Sequence, residues 1–180
     1  MEISELKKAV HKDLTVQKEK ERLERVEKNK NLKKVIVYTK EKSPTCENLK
    51  KQGFNVIIGS NFPYDEYLQY IIDSHIGVSS WGAGNSCRRM WEIMSNKTCC
   101  FVQKKEILFP NIFEDGVSYV EYQTPEEFEE KARYYIKNKD ECIKIGIKGY
   151  EHIKKYHTGV KRLEYMINVM NGKNWQTALI

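Results

Sequence analysis

No apolar run in this chain approaches the roughly 20 residues that a membrane-spanning helix needs, so a membrane span is not expected. The opening Met-Glu-Ile-Ser-Glu-Leu-Lys-Lys is not followed by an apolar stretch, which argues against a secretory signal. CxxC pairs and Cys/His clusters at zinc spacing are missing, so no metal site is expected. The five cysteines (Cys46, Cys87, Cys99, Cys100 and Cys142) are odd in number. Cys99 and Cys100 fall inside an expected buried strand, which suits reduced thiols packing as small hydrophobes in a cytoplasmic protein. Internal repeats are absent, and so is low complexity beyond a Lys/Glu bias at the start.

What remains is the composition of one ordinary globular domain. The 180 residues suffice for a real core, and 40% hydrophobic with 31% charged residues gives a wet surface. The formal charge of +6 is unevenly placed, because residues 1–34 hold eleven basic and seven acidic side chains, or +4 of it. Residues 2–30 contain neither Gly nor Pro and are mostly good helix formers. Ile3, Leu6 and Val10 make one short apolar stripe there, and Leu23 and Val26 another. We expect residues 1–33 to be a charged N-terminal helix or linker, with the folded domain at 34–180. The interleaved acids make nucleic-acid binding by this segment the weaker expectation.

Beyond Leu32 short apolar runs alternate with helical patterns. Strands are expected at Val35–Tyr38, Phe54–Ile58, His75–Ser79, Thr98–Val102 and Val117–Tyr122. Between them, Ser43-Pro44 opens a helix that Gly53 closes, Pro63 opens one to Asp73 with Leu68, Ile71 and Ile72 inward, and another covers 85–95. Thr124-Pro125-Glu126-Glu127 combines a cap, a first-position proline and a capping-box acid, ahead of a stripe of Phe128, Ala132, Tyr135 and Ile136. Two more helices are expected, Lys139–Lys155 with Cys142, Ile143, Ile147, Tyr150 and Ile153 inward, and Gly159–Met170. This alternation predicts an α/β, Rossmann-like domain with a parallel sheet of about five strands flanked by helices. Ligands of such sheets bind at the carboxyl ends of the strands.

The richest segment is Gly77-Val-Ser-Ser-Trp-Gly-Ala-Gly-Asn-Ser-Cys-Arg-Arg-Met-Trp-Glu92. It reads as a strand, a glycine turn, and a helix opening with Asn85 and Ser86. Gly82 and Gly84 let the backbone approach a ligand closely. Helix N-terminal amides beside Arg88 and Arg89 suit a phosphate group. Glu92 suits sugar hydroxyls, so the constellation points to a nucleotide or nucleotide sugar. Successive helix residues point about 100° apart, so one arginine faces the phosphate and the other solvent. Gly59, at the end of the second strand, borders the same edge. Trp81 either stacks on a base or sugar or packs beneath the turn.

From about Phe54 to Met166 the chain resembles the C-terminal, donor-binding half of a GT-B glycosyltransferase (glycosyl transferases group 1), nearest to the CgeB-type proteins. The resemblance rests on Tyr64-Asp-Glu-Tyr-Leu68 leading into Asp73-Ser-His-Ile-Gly-Val-Ser79. It continues through Arg88 or Arg89 followed by Glu92, Phe113-Glu-Asp-Gly116 before Pro125-Glu-Glu-Phe128, and His157-Thr158 with Arg162. It implies that Glu92 binds the ribose hydroxyls, that glycine-turn amides and basic residues hold the diphosphate, and that no catalytic metal is needed, in keeping with the absence of a DxD motif. Its register favours Arg88 as the phosphate ligand. The implied reaction is sugar transfer from a nucleoside-diphosphate sugar, with no cofactor. Its base comes from an acceptor domain that this chain would meet as a separate partner or in a homo-oligomer. A non-catalytic nucleotide-binding or interaction module of the same fold is the alternative. Two departures stand out: Gly84 takes the place of a second glutamate, and Asn96 stands where a left-handed glycine is usual. His75 and His157 are expected to be structural, Phe62 and Tyr64 to pack from loop to core or flank a base, and the glutamates at 126–130 to be a solvated face.

Overall fold

A computed structural model of the chain describes residues 34–37, 44–58, 62–80, 87–104 and 110–174. The expected N-terminal helix lies outside these residues. Within them the elements run β1 (Lys34–Val37), α1 (Pro44–Lys51), β2 (Asn55–Ile58), α2 (Tyr64–Ile72), β3 (Ile76–Ser79), α3 (Arg88–Ser95), β4 (Cys99–Gln103), β5 (Val120–Tyr122), α4 (Pro125–Lys137), α5 (Lys139–Tyr156) and α6 (Gly159–Met170). The strands form one sheet in the order β2-β1-β3-β4-β5, parallel throughout. The chain first adds β2 on one side of β1, then crosses back to lay β3 on the other. That reversal, between β1 and β3, is a topological switch point, the place where open parallel sheets of this kind bind their ligands.

Strand alternation sorts the core into two layers. In β4, Cys99 and Phe101 face one side, while Cys100 and Val102 face the other. The first layer joins Leu49 of α1 to Phe128, Ala132, Tyr135 and Ile136 of α4, the stripe read from the sequence. Phe101 sits at its centre, fully buried, with edge-on contacts to Phe128 and Tyr135 at 5.8 Å each. The second layer joins Tyr67 and Ile71 of α2 to Met90, Ile93 and Met94 of α3. α3 lies close on the sheet because β3 offers Gly77 beneath it: a Cβ there would stand 2.7 Å from Ile93 Cγ2. Among the described residues no helix is long and apolar enough to cross a membrane.

Several local expectations are corrected. β5 begins at Val120, not Val117, because Asp115, Gly116 and Ser118 form a turn in which the Ser118 and Gly116 amides donate to Glu114 O and Tyr119 O. In α2 the buried pair is Tyr67 and Ile71, one turn apart; Leu68 and Ile72 are only half-buried. In α5 the buried stripe is Cys142, Ile145, Gly146, Gly149 and Ile153, with Ile143, Ile147 and Tyr150 half-buried. Apolarity alone misplaced that stripe, since the glycines are the contact. Gly146 lies against the Lys97 carbonyl, and a Cβ on Gly149 would come within 2.5 Å of Ser118 O. The left-handed residue after α3 is Lys97 (φ 60), not Asn96. Asn96 is the cap itself, and the Lys97 and Thr98 amides donate back to Met94 O and Ile93 O, closing a Schellman turn.

Candidate functional site

α2 and α3 both begin at the carboxyl edge of the sheet, following β2 and β3 respectively. α3 starts at Arg88 after Cys87, three residues later than the expected opening at Asn85. No side chain caps it. Gly59, Trp81, Gly82, Gly84, Asn85 and Ser86 lie outside the described residues, so the glycine turn and its amides have no place in the geometry below.

Arg88 and Glu92 are one helical turn apart and meet, Nε to Oε1 at 2.8 Å. The arginine side chain is 79% exposed and the glutamate only 14%. Two tyrosines from the first turns of α2 shield the carboxylate. The Tyr67 hydroxyl donates to Oε2 at 3.1 Å, and the Tyr64 hydroxyl approaches Oε1 at 3.4 Å. The Arg88 guanidinium also lies over the Tyr64 ring, 5.6 Å from its centroid. On the other flank, the Asn96 side-chain amide donates to the Glu92 carbonyl at 2.7 Å and secures the last turn of α3. Arg89 is half-buried on a different side of the helix. Arg88, Glu92 and the two α2 tyrosines are thus brought together; the sequence reading placed Arg88 one turn before Glu92 but gave it to a phosphate, not to the carboxylate.

An aromatic cluster flanks α3 on its other side. Trp91 packs against Phe113 at 5.7 Å and edge-on against His157 at 5.2 Å. His157 stacks on Phe113 at 5.0 Å, and His152 lies 4.5 Å from the same ring, its Nε2 bonded to Asn111 O at 2.9 Å. The Arg162 guanidinium covers Trp91 at 4.5 Å. Burial, with His152 and Arg162 as positive neighbours, pushes the His157 pKa down to about 4. His152 is lowered for the same first reason. His157 thus packs as a neutral ring at the end of α5, where its amide donates to Ile153 O, in keeping with a structural role. His75 is buried at the start of β3. Phe62 packs edge-on to Tyr70 at 4.9 Å, while Tyr64 remains 53% exposed. Of the acids at 126–130, Glu127 accepts the Gln123 amide at 2.8 Å and completes the cap at Thr124, whose hydroxyl accepts from Glu127 N at 3.2 Å. Glu129 is held by Gln52 and Arg133, so this row serves structure.

Sequence reasoning missed Tyr67 as a partner of Glu92 and Trp91 as the anchor of the flanking cluster. The signal for Tyr67 was present, since a polar-tipped ring at the inward register of the first turn of α2 needs a partner for its hydroxyl.

The family described as "Glycosyl transferase-like" matches residues 18–168. The chain belongs to that family. No curated protein matches it. Among solved structures it is similar to the C-terminal domain of a glycosyl transferase group 1 family protein (LpcC) from Francisella tularensis. That likeness has a TM-score of 0.49 at 18% identity, over 60% of this chain and 57% of that one. The chain therefore spans little more than half the length of the structure it matches.

Of the cysteines, Cys99, Cys100 and Cys142 of this glycosyl transferase-like chain are buried thiols, and Cys87 is a half-buried one. Burial raises the Cys99 pKa well above its usual value, which makes it a packing group and no nucleophile. Among the described residues no cluster of His, Cys, Asp and Glu could hold a metal ion.

Proposed function

We propose that this glycosyl transferase-like chain is the donor-binding part of a glycosyltransferase, and that it holds a nucleoside-diphosphate sugar outside β3. The reading rests on one observation above the others: a shielded carboxylate, Glu92, stands one helical turn from an exposed Arg88 at the start of α3. A carboxylate accepts hydrogen bonds from both hydroxyls of a ribose diol, and a guanidinium binds phosphate oxygens in a fork. The glycine turn Gly82-Ala-Gly84 leads into that helix, and its amides complete the phosphate seat in this proposal. Positive charge at the diphosphate would stabilise it as a leaving group. The acceptor, and the base that activates it, come from outside the chain: a further domain, a partner chain or a second copy. No metal and no cofactor enter the scheme, and a cytoplasmic setting suits the reduced thiols.

Calorimetric titration with UDP, GDP, UDP-glucose and GDP-mannose tests this. One nucleotide and its sugar conjugate should bind, and Glu92→Ala should weaken both at least tenfold, since a hydrogen bond to a charged group is worth about 1.5–3 kcal/mol. If none of the four binds the wild-type chain, the donor-site reading fails.

A second reading, a non-catalytic interaction module, is favoured by α6. It buries no residue and exposes Val160, Leu163, Met166, Ile167 and Met170 along one side. A chain that binds nucleotide yet transfers no sugar when an acceptor domain is supplied would support it.

A further inference from the structure

Glu92 is more heavily engaged than a waiting ligand should be. An ionised carboxylate offers about four lone-pair positions. Three donors already approach: Arg88 Nε at 2.8 Å and the Tyr64 hydroxyl at 3.4 Å on Oε1, and the Tyr67 hydroxyl at 3.1 Å on Oε2. A diol brings two hydroxyl donors, and only about one position is open. At least one present donor must leave before both hydroxyls can bind.

The three donors are not equally free to go. The Tyr67 ring is 8% exposed and belongs to the core layer with Ile71, Met90 and Ile93. Its hydroxyl cannot withdraw without unpacking α2 from α3. Tyr64 is 53% exposed and the Arg88 side chain 79%, so both can rotate into solvent at little cost. Resting on the donor-site reading above, we infer that Tyr67 is a positioning residue that fixes the Glu92 carboxylate, whereas Tyr64 and Arg88 are stand-ins that occupy the diol's places until a nucleotide displaces them. Displacement turns the Arg88 guanidinium loose one helical turn from the carboxylate, on the first turn of α3, where the diphosphate is expected. Diol and phosphate binding are thereby coupled through one arginine.

The two tyrosines then have opposite effects on the same ligand. Removing the Tyr67 hydroxyl loosens Glu92 and weakens binding. Removing the Tyr64 hydroxyl takes away a competitor and strengthens it, while Tyr64→Phe keeps the ring for any stacking. The test measures UDP and GDP, each against its 2′-deoxy form, on the full chain and on Tyr67→Phe and Tyr64→Phe. For the ribonucleotide that binds, Tyr67→Phe should weaken affinity about tenfold and Tyr64→Phe should tighten it about threefold, the long Tyr64 contact being the weaker bond. The ribo-to-deoxy affinity ratio should fall in the first variant and rise in the second. Changes of the same sign, or a ratio that neither variant moves, overturn the inference and leave the donor site standing. If Tyr67→Phe does not fold, Tyr64→Phe still decides, because unchanged or weaker binding there overturns it. If neither UDP nor GDP binds the wild type, the donor site and this inference fall together.

Discussion

Replacing Gly146 by alanine sets two effects of opposite sign against each other. Gly146 lies inside α5, where glycine costs about 1 kcal/mol relative to alanine, so helix propensity alone favours the change. The position, however, faces backbone: the Lys97 carbonyl oxygen is nearest, with Lys97 C at 2.9 Å and Cys99 N at 3.0 Å from a Cβ built there. None of these is the end of a flexible side chain, so the helix must move away from the start of β4. Overpacking costs about 1–3 kcal/mol when side chains can yield, and more when they cannot. A net loss of about 2 kcal/mol follows once the propensity gain is subtracted. For a domain of this size that is a fall in Tm of about 4–8 °C. Gly159→Ala is the control, because nothing lies within 4 Å of its Cβ and its φ is not positive. It should gain about 0.4–1 kcal/mol through the unfolded chain, raising Tm by about 1–4 °C. Thermal unfolding followed by far-UV circular dichroism reads both. If Gly146→Ala unfolds at or above the wild-type temperature, close backbone contact is not what seats α5. The consequence reaches the site, since His157 caps the end of α5 and packs edge-on against Trp91.

Two further outcomes are expected. The His157 pKa lies near 4 in the folded chain, below the unfolded value of about 6.5, so the unfolded state binds the proton first. Its contribution is fully present above about pH 6.5 and is lost as pH falls towards about 4; allowing for solvent at this half-buried ring, the loss is about 1–2 kcal/mol. Tm measured from pH 7.5 down to pH 4.5 should drop more steeply in the wild type than in His157→Phe, and equal slopes would refute the assignment. Thr124→Ala removes the cap of α4 and should cost about 1 kcal/mol by denaturant titration, with nucleotide affinity unchanged because the cap lies on the other face of the sheet.

Much of this architecture was legible locally. The start of α4 at Thr124-Pro125 with Glu127, the end of α1 at Gly53 (φ 85), and the stripe of Phe128, Ala132, Tyr135 and Ile136 are all short-range signals, and each stands as read. Capping and periodicity act within a few residues, so a sequence carries them whole. The one-turn spacing of Arg88 and Glu92 belongs to the same class, but their ion pair does not, since the sequence reading gave Arg88 to a phosphate. Where the reading of α5 failed, a distant partner decided. Gly146 and Gly149 look like weak points of a helix until the Lys97 and Ser118 carbonyls are laid against them. Lys97 takes the left-handed place because the Schellman turn ends there, ahead of a strand that must enter the sheet.

By itself, then, the sequence determined the alternation of strands and helices, their caps, and the acid and base that share the first turns of α3, because all of these depend on neighbours within about one or two helical turns. Only the tertiary structure decided the strand order β2-β1-β3-β4-β5, the glycine-lined face of α5, and the meeting of Tyr67 with Glu92 across 25 positions of chain. Those depend on which surfaces can be buried together, and that is a property of the packed core as a whole.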